Sequence, residues 1–110
     1  MNGGDLQFRA TRAALRAAYG RNMFICRPGD EDYEGTGFLF GVELAGERHI
    51  FGRGETLRVA VETALDHHMR AVEVAKLGSV MLWANRRRVR LMRDLLARYP
   101  SSASTDGGEA

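Results

Sequence analysis

The sequence predicts an α+β fold, a three-stranded antiparallel sheet packed by helices in the order α-β-β-β-α-α. Three observations carry that reading. Residues 38–44 alternate with a period of two, the pattern of a half-buried strand. Turn signals at Pro28-Gly29 and Ala45-Gly46-Glu47 separate short apolar runs on either side of it. Residues 56–77 and 79–99 then place apolar side chains at helical spacing.

The first helix is expected over residues 5–19, with Asp5 as its N-cap. Phe8, Leu15, Ala18 and Tyr19 make its apolar side, Arg9, Arg12 and Arg16 line another face, and Gly20 supplies the stop. Met23-Phe24-Ile25-Cys26 reads as the first strand, followed by an acidic, glycine-containing loop over 28–37. In the second strand Phe38, Phe40, Val42 and Leu44 alternate with Leu39, Gly41 and Glu43. Ala45-Gly46-Glu47 turns the chain into a third strand over 48–52, and such short connections imply an antiparallel meander.

Gly52-Arg53-Gly54 is expected to break the sheet and launch the second helix near Thr56. Leu57, Val61, Ala64, Leu65, His68, Val72 and Ala75 share its core-facing side. A helix from 56 to 77 would run to roughly 33 Å, longer than the strands, so its later turns should overhang the sheet and pack on the third helix. Gly78-Ser79 marks the break and the new cap, and Pro100 closes the third helix. Residues 1–100 form a single expected domain, and the small, polar stretch 101–110 reads as a disordered tail.

With 110 residues the chain makes one domain with a modest core. Charge is unevenly placed: residues 21–56 carry a net −3 and residues 79–100 a net +5, in a chain whose total is +2. Such a bipolar molecule is an argument about partners and encounter rather than about fold. Fifteen of the sixteen basic residues are arginine, which suits phosphate or carboxylate recognition and equally reflects a bias in composition. The lone Cys26 excludes an intramolecular disulfide and fits a reducing compartment. No signal peptide and no run of about eighteen apolar residues is visible, so the expected location is cytoplasmic.

The order helix, three-stranded meander, helix over residues 5–70 resembles the double-stranded-RNA-binding domain. The junction Gly52-Arg53-Gly54-Glu55-Thr56 is similar to that family's glycine-rich run from the third strand into the second helix. The resemblance implies a basic cluster at the start of that helix, contacting phosphates across a major groove. The matching positions here are Leu57, Arg58, Val59, Ala60 and Val61, so only Arg58 keeps a charge. It also implies that the loop between the first two strands probes a minor groove, and this loop carries Asp30, Glu31, Asp32 and Glu34. Those acids would repel an RNA surface.

Asp30-Glu31-Asp32-Tyr33-Glu34-Gly35 imitates the opening of a calcium loop, but position twelve is Gly41 rather than a bidentate glutamate and the flanks read as strands. A solvated acidic turn is expected. His67 and His68 are adjacent on a helix and point about 100° apart, a poor pair for one ion, with His68 on the core stripe and His67 near solvent. Cys26 ends an apolar strand and reads as a buried, inert thiol. No serine or cysteine is placed beside a histidine and an orienting acid, so no enzymatic activity is expected.

The last helix carries the strongest signal. Trp83, Arg86, Arg87 and Arg90 fall on one face, and Val89, Met92, Leu96 and Tyr99 on another. A tryptophan inside an arginine stripe suits a polyanion or an acidic protein surface. These readings predict a non-enzymatic interaction module of the adaptor or inhibitor kind, docking on a larger protein or ribonucleoprotein assembly. Trp83, Arg86, Arg87, Arg90 and Arg93 would act at one pole, and Asp30, Glu31, Asp32 and Glu34 at the other. The alternative is nucleic-acid binding through Arg9, Arg12, Arg16 and Arg58 together with Arg86, Arg87 and Arg90. No cofactor, metal or membrane partner is expected. A homodimer stays open, because the apolar face of the last helix can serve a core or a second copy.

Overall fold

Six elements follow one another in the expected order in the structure, a computed structural model that describes residues 6–99. They are α1 (Phe8–Tyr19), β1 (Met23–Cys26), β2 (Phe38–Leu44), β3 (Glu47–Gly54), α2 (Leu57–Val74) and α3 (Val80–Arg98). The strands form one antiparallel sheet in the order β1-β2-β3.

α1 begins three residues later than the sequence suggests. Its N-cap is Gln7, whose side chain makes no capping bond, while the expected cap Asp5 lies outside the described residues. Tertiary packing sets this start: Leu6 is buried in the core immediately before the helix, and Leu15 and Tyr19 follow on its inner face. The 101–110 stretch and Pro100 also lie outside the described residues.

Met23 pairs with Val42 and Ile25 with Phe40, so these four side chains share the covered face of the sheet. Phe24 and Cys26 alternate to the opposite face, which leaves Cys26 only half-buried, not enclosed as its apolar run predicts. Leu44, expected beside Phe40 and Val42, is 49% exposed. Residues 43–50 at the hairpin end are exposed throughout, so nothing covers it there.

The β2–β3 turn is tighter than three residues. Ala45 and Gly46 both take positive φ, at 52° and 81°, as a two-residue hairpin turn requires. β3 also runs through Gly52 to Gly54 instead of breaking at 52. The register slips between Phe40 and Gly41, where Gly52 and Ile50 are the partners and Phe51 is the extra residue. Two close approaches make this bulge possible. A Cβ on Gly41 would collide with the His49 carbonyl oxygen and sit 2.9 Å from Ile50 Cα, and one on Gly52 would strike the Ala60 carbonyl oxygen of α2.

Thr56 caps α2, its Oγ1 accepting from the Val59 N–H at 3.1 Å, and Ser79 caps α3, its Oγ accepting from Leu82 N–H at 3.1 Å. α2 covers the sheet with Leu57, Ala60, Val61 and Ala64, meeting Phe40 and Val42 in the core. It ends at Val74 rather than 77, and its 18 residues still run to about 27 Å. α3 buries Leu82, Asn85, Met92 and Leu95, with Leu96 and Tyr99 packed at the margin.

Two substitutions test this account in opposite directions. Gly41→Ala should destabilise the domain by about 2 kcal/mol or more, because backbone atoms and not a flexible side-chain end stand in the way. Ala45→Gly should raise stability by about 0.5–1 kcal/mol, because it relieves a non-glycine residue held at positive φ. Urea unfolding monitored by circular dichroism measures both.

Candidate interaction surface

The surface depends on how α3 is held. Two buried hydrogen bonds join the three helices, and a third, part-buried, continues the chain within α3. Tyr19 Oη of α1 lies 2.6 Å from His68 Nε2 of α2, and His68 Nδ1 lies 2.8 Å from Asn85 Oδ1 of α3. Asn85 Nδ2 donates to the Met81 carbonyl at 2.8 Å, which fixes Oδ1 as the acceptor. His68 therefore carries a proton on Nδ1, and in the neutral imidazole Tyr19 donates to Nε2. That arrangement gives each polar atom of the chain a partner, the phenol hydrogen included.

The electrostatics agree. Burial is the main force lowering the His68 pKa, to about 4, with Arg88 and His67 pushing the same way and the Asn85 bond opposing them. Burial also raises the Tyr19 pKa above its ordinary value, against the pull of Arg88. The sequence places His68 in the core and His67 at the surface, as observed, but Tyr19 and Asn85 as its partners were not legible.

With Asn85 turned inward, the 100° step of the helix carries Trp83, Arg86, Arg87 and Arg90 outward, where all four are exposed. They line a groove together with Leu91. The Arg87 guanidinium lies 5.9 Å from the Trp83 ring. Arg93 reaches across α2 to Met69, with Nη2 3.7 Å from the sulfur. Arg88 differs from its neighbours: it is half-buried over Tyr19, 5.1 Å from the ring centroid, and Phe51, at 5.8 Å.

Among the described residues, the ion pairs are Arg27–Asp30, Arg48–Glu43 and Arg70–Asp66. None involves an arginine of α3. The acidic loop does not neutralise that helix either. Asp30 is held by Arg27, through the backbone N–H at 2.8 Å and Nε at 3.2 Å, and the backbone bond is the chief cause of its lowered pKa. Tyr33 Oη donates to the Gly37 carbonyl at 2.8 Å, tightening the loop, while Glu31, Asp32 and Glu34 stay exposed.

One feature has no counterpart among the sequence expectations. Val74, Leu77, Val80 and Met81 join Trp83 around the α2–α3 turn and are exposed, Leu77 to 91% and Val74 to 84%. The signal was present, since Val74, Leu77, Val80 and Met81 fall off the core stripes that fix both helices. Isolated exposed apolar residues need no explanation, but a cluster at one end of a molecule does.

The remaining candidates are scattered. Arg9, Arg12 and Arg16 line a shallow groove of their own on α1. Arg58, the one charge at the start of α2, is half-buried, with Nη2 out of solvent. No group of three or more His, Cys, Asp or Glu among the described residues is placed to hold a metal ion. No helix among them is long and apolar enough to cross a membrane.

The buried histidine predicts a pH dependence. The unfolded chain protonates His68 near 6.5 and the folded chain only near 4, so unfolding takes up a proton between those values. Stability should fall as pH drops from about 6.5 toward 4, by up to about 1.4 kcal/mol per pH unit. Denaturant titrations at stepped pH should show this slope in the wild type and a reduced one in His68→Gln.

No protein-family model, curated protein or solved structure matches the chain.

Proposed function

We propose that this chain is a non-enzymatic protein-interaction module, of the adaptor or inhibitor kind, that docks on a larger macromolecular assembly. The observation that carries this reading is the combined surface of the α2–α3 hairpin. Exposed apolar side chains at its tip adjoin a row of guanidinium groups that meet no carboxylate among the described residues. Aromatic residues and arginines on an exposed apolar patch are the composition of a protein interface.

The acidic loop supplies the second pole. Tyr33 and residues 35–37 of this loop line a groove with Gly54 and Glu55 at the entrance to α2, and the hairpin tip lies at that helix's other end, about 27 Å away. Opposite charge at the two ends steers encounter and fixes orientation more than it adds affinity. The buried Tyr19–His68–Asn85 chain supports a structural use of the one histidine with a strongly shifted pKa, since His68 is 1% exposed.

Nucleic-acid binding is the second reading, favoured by Trp83, 63% exposed beside Arg86, Arg87 and Arg90. The half-burial of Arg58 and the exposure of Glu31, Asp32 and Glu34 weigh against it.

Affinity capture from cells that express the chain separates these readings. A protein partner should be retained by the wild type and lost, by roughly tenfold or more, with Arg86→Glu plus Arg90→Glu or with charge reversal at Glu31 and Asp32. Recovery unchanged by both sets would refute the proposal. Steeply salt-dependent binding to generic duplex RNA or DNA, abolished by the arginine reversals, would establish the second reading instead.

A further inference from the structure

We infer that the groove between α2 and α3 is the docking site for an acidic amphipathic helix of a partner protein, an inference that rests on the interaction-module reading. The groove has a volume of about 520 Å³, and Met69, Val72 and Val89 supply its apolar lining. Arg86, Arg90 and Arg93 stand along one wall, all exposed.

Their spacing suits a helix. Positions i, i+4 and i+7 form one stripe about 10 Å long on α3. A helix lying alongside presents its own acids at the same intervals, while its apolar stripe meets the apolar lining. Arg86 and Arg90 also line the neighbouring groove with Trp83, so the basic ridge continues toward the exposed apolar tip. Arg93 holds only a long contact to the Met69 sulfur, which a carboxylate would replace at little cost.

The same groove disfavours other occupants. Glu73 and Asp94 also line it, and a phosphate backbone or an anionic lipid surface would bring negative charge against them. A partner helix can place neutral or basic residues at those two points. A second copy offering the same face would set arginine against arginine.

Selection from a displayed library of random 16-residue peptides tests this directly, using the whole chain as bait. Enriched sequences should pair Asp or Glu with Leu, Ile, Phe or Met three or four residues apart. A synthetic peptide of that class should bind at least tenfold more weakly to Arg86→Glu plus Arg93→Glu, and peptide variants with Arg in place of Glu should recover the loss. Circular dichroism checks that the variant is folded. Enrichment of basic or uncharged peptides, no enrichment, or binding indifferent to the reversals would overturn the inference. So would binding confined to duplex RNA, to phosphatidylcholine–phosphatidylserine vesicles, or to a second copy of the chain seen by light scattering. Should cellular capture still return a protein partner released by the arginine reversals, this inference falls and the interaction-module reading stands. Should neither experiment return a protein or peptide, both fall.

Discussion

The buried chain from Tyr19 through His68 to Asn85 is the constraint on which the rest of the structure depends. It joins three helices that come from distant parts of the sequence, and its hydrogen bonds have one consistent direction. A helix packed only by aliphatic contacts can rotate by a fraction of a turn at small cost. A helix whose asparagine must meet an imidazole N–H cannot, because a stranded buried polar group costs about 1–3 kcal/mol. Fixing the phase of α3 fixes which arginines face outward. Arg88 turns toward Tyr19 and Phe51 and becomes part of the core's margin, whereas Arg86, Arg87 and Arg90 do not. Residue type is the same in all four, and helical phase alone divides them.

The second constraint is that α2 packs on α3 as well as on the sheet, whose hairpin end stays uncovered. The turn between them then has no core to enter, and its apolar residues stay in water. Burying one such side chain is worth about 1.5–3 kcal/mol, while association costs about 4–15 kcal/mol in lost freedom. The tip alone sits near the lower end of what a stable complex needs. Directional charge beside it is therefore the difference between a sticky end and a specific one.

How much of this was legible in the sequence varies by element for physical reasons. The alternation in 38–44 places β2 correctly because local periodicity and one-sided burial coincide there. Thr56 and Ser79 announce their helices because capping is a local interaction. The start of α1 is set instead by burial of Leu6, and β3 passes through Gly52 because the α2 backbone sits against it. Both are tertiary effects without a local mark. Asn85 is the clearest case: it occupies a core stripe as a polar residue, and its partner His68 lies 17 residues away. The outward arginine face was legible, since helical spacing alone separates it from Met92 and Leu95. The apolar tip was marked only indirectly, by Val74, Leu77, Val80 and Met81 falling off the core stripes, because a valine or leucine near a turn carries no polar sign of its own exposure.

The distribution of charge bears on the likeness to the double-stranded-RNA-binding domain. That likeness implies contacts from the loop between the first two strands and from the start of the second helix. In this chain the loop exposes Glu31, Asp32 and Glu34, and the helix start offers a half-buried Arg58. The dense positive charge sits on α3, an element outside the 5–70 stretch that carries the likeness. Element order and charge thus point to different surfaces, and function follows the chemistry of a site rather than the order of its scaffold. Under the interaction-module proposal, the end of the molecule where guanidinium groups and uncovered apolar side chains coincide is the surface a partner would use.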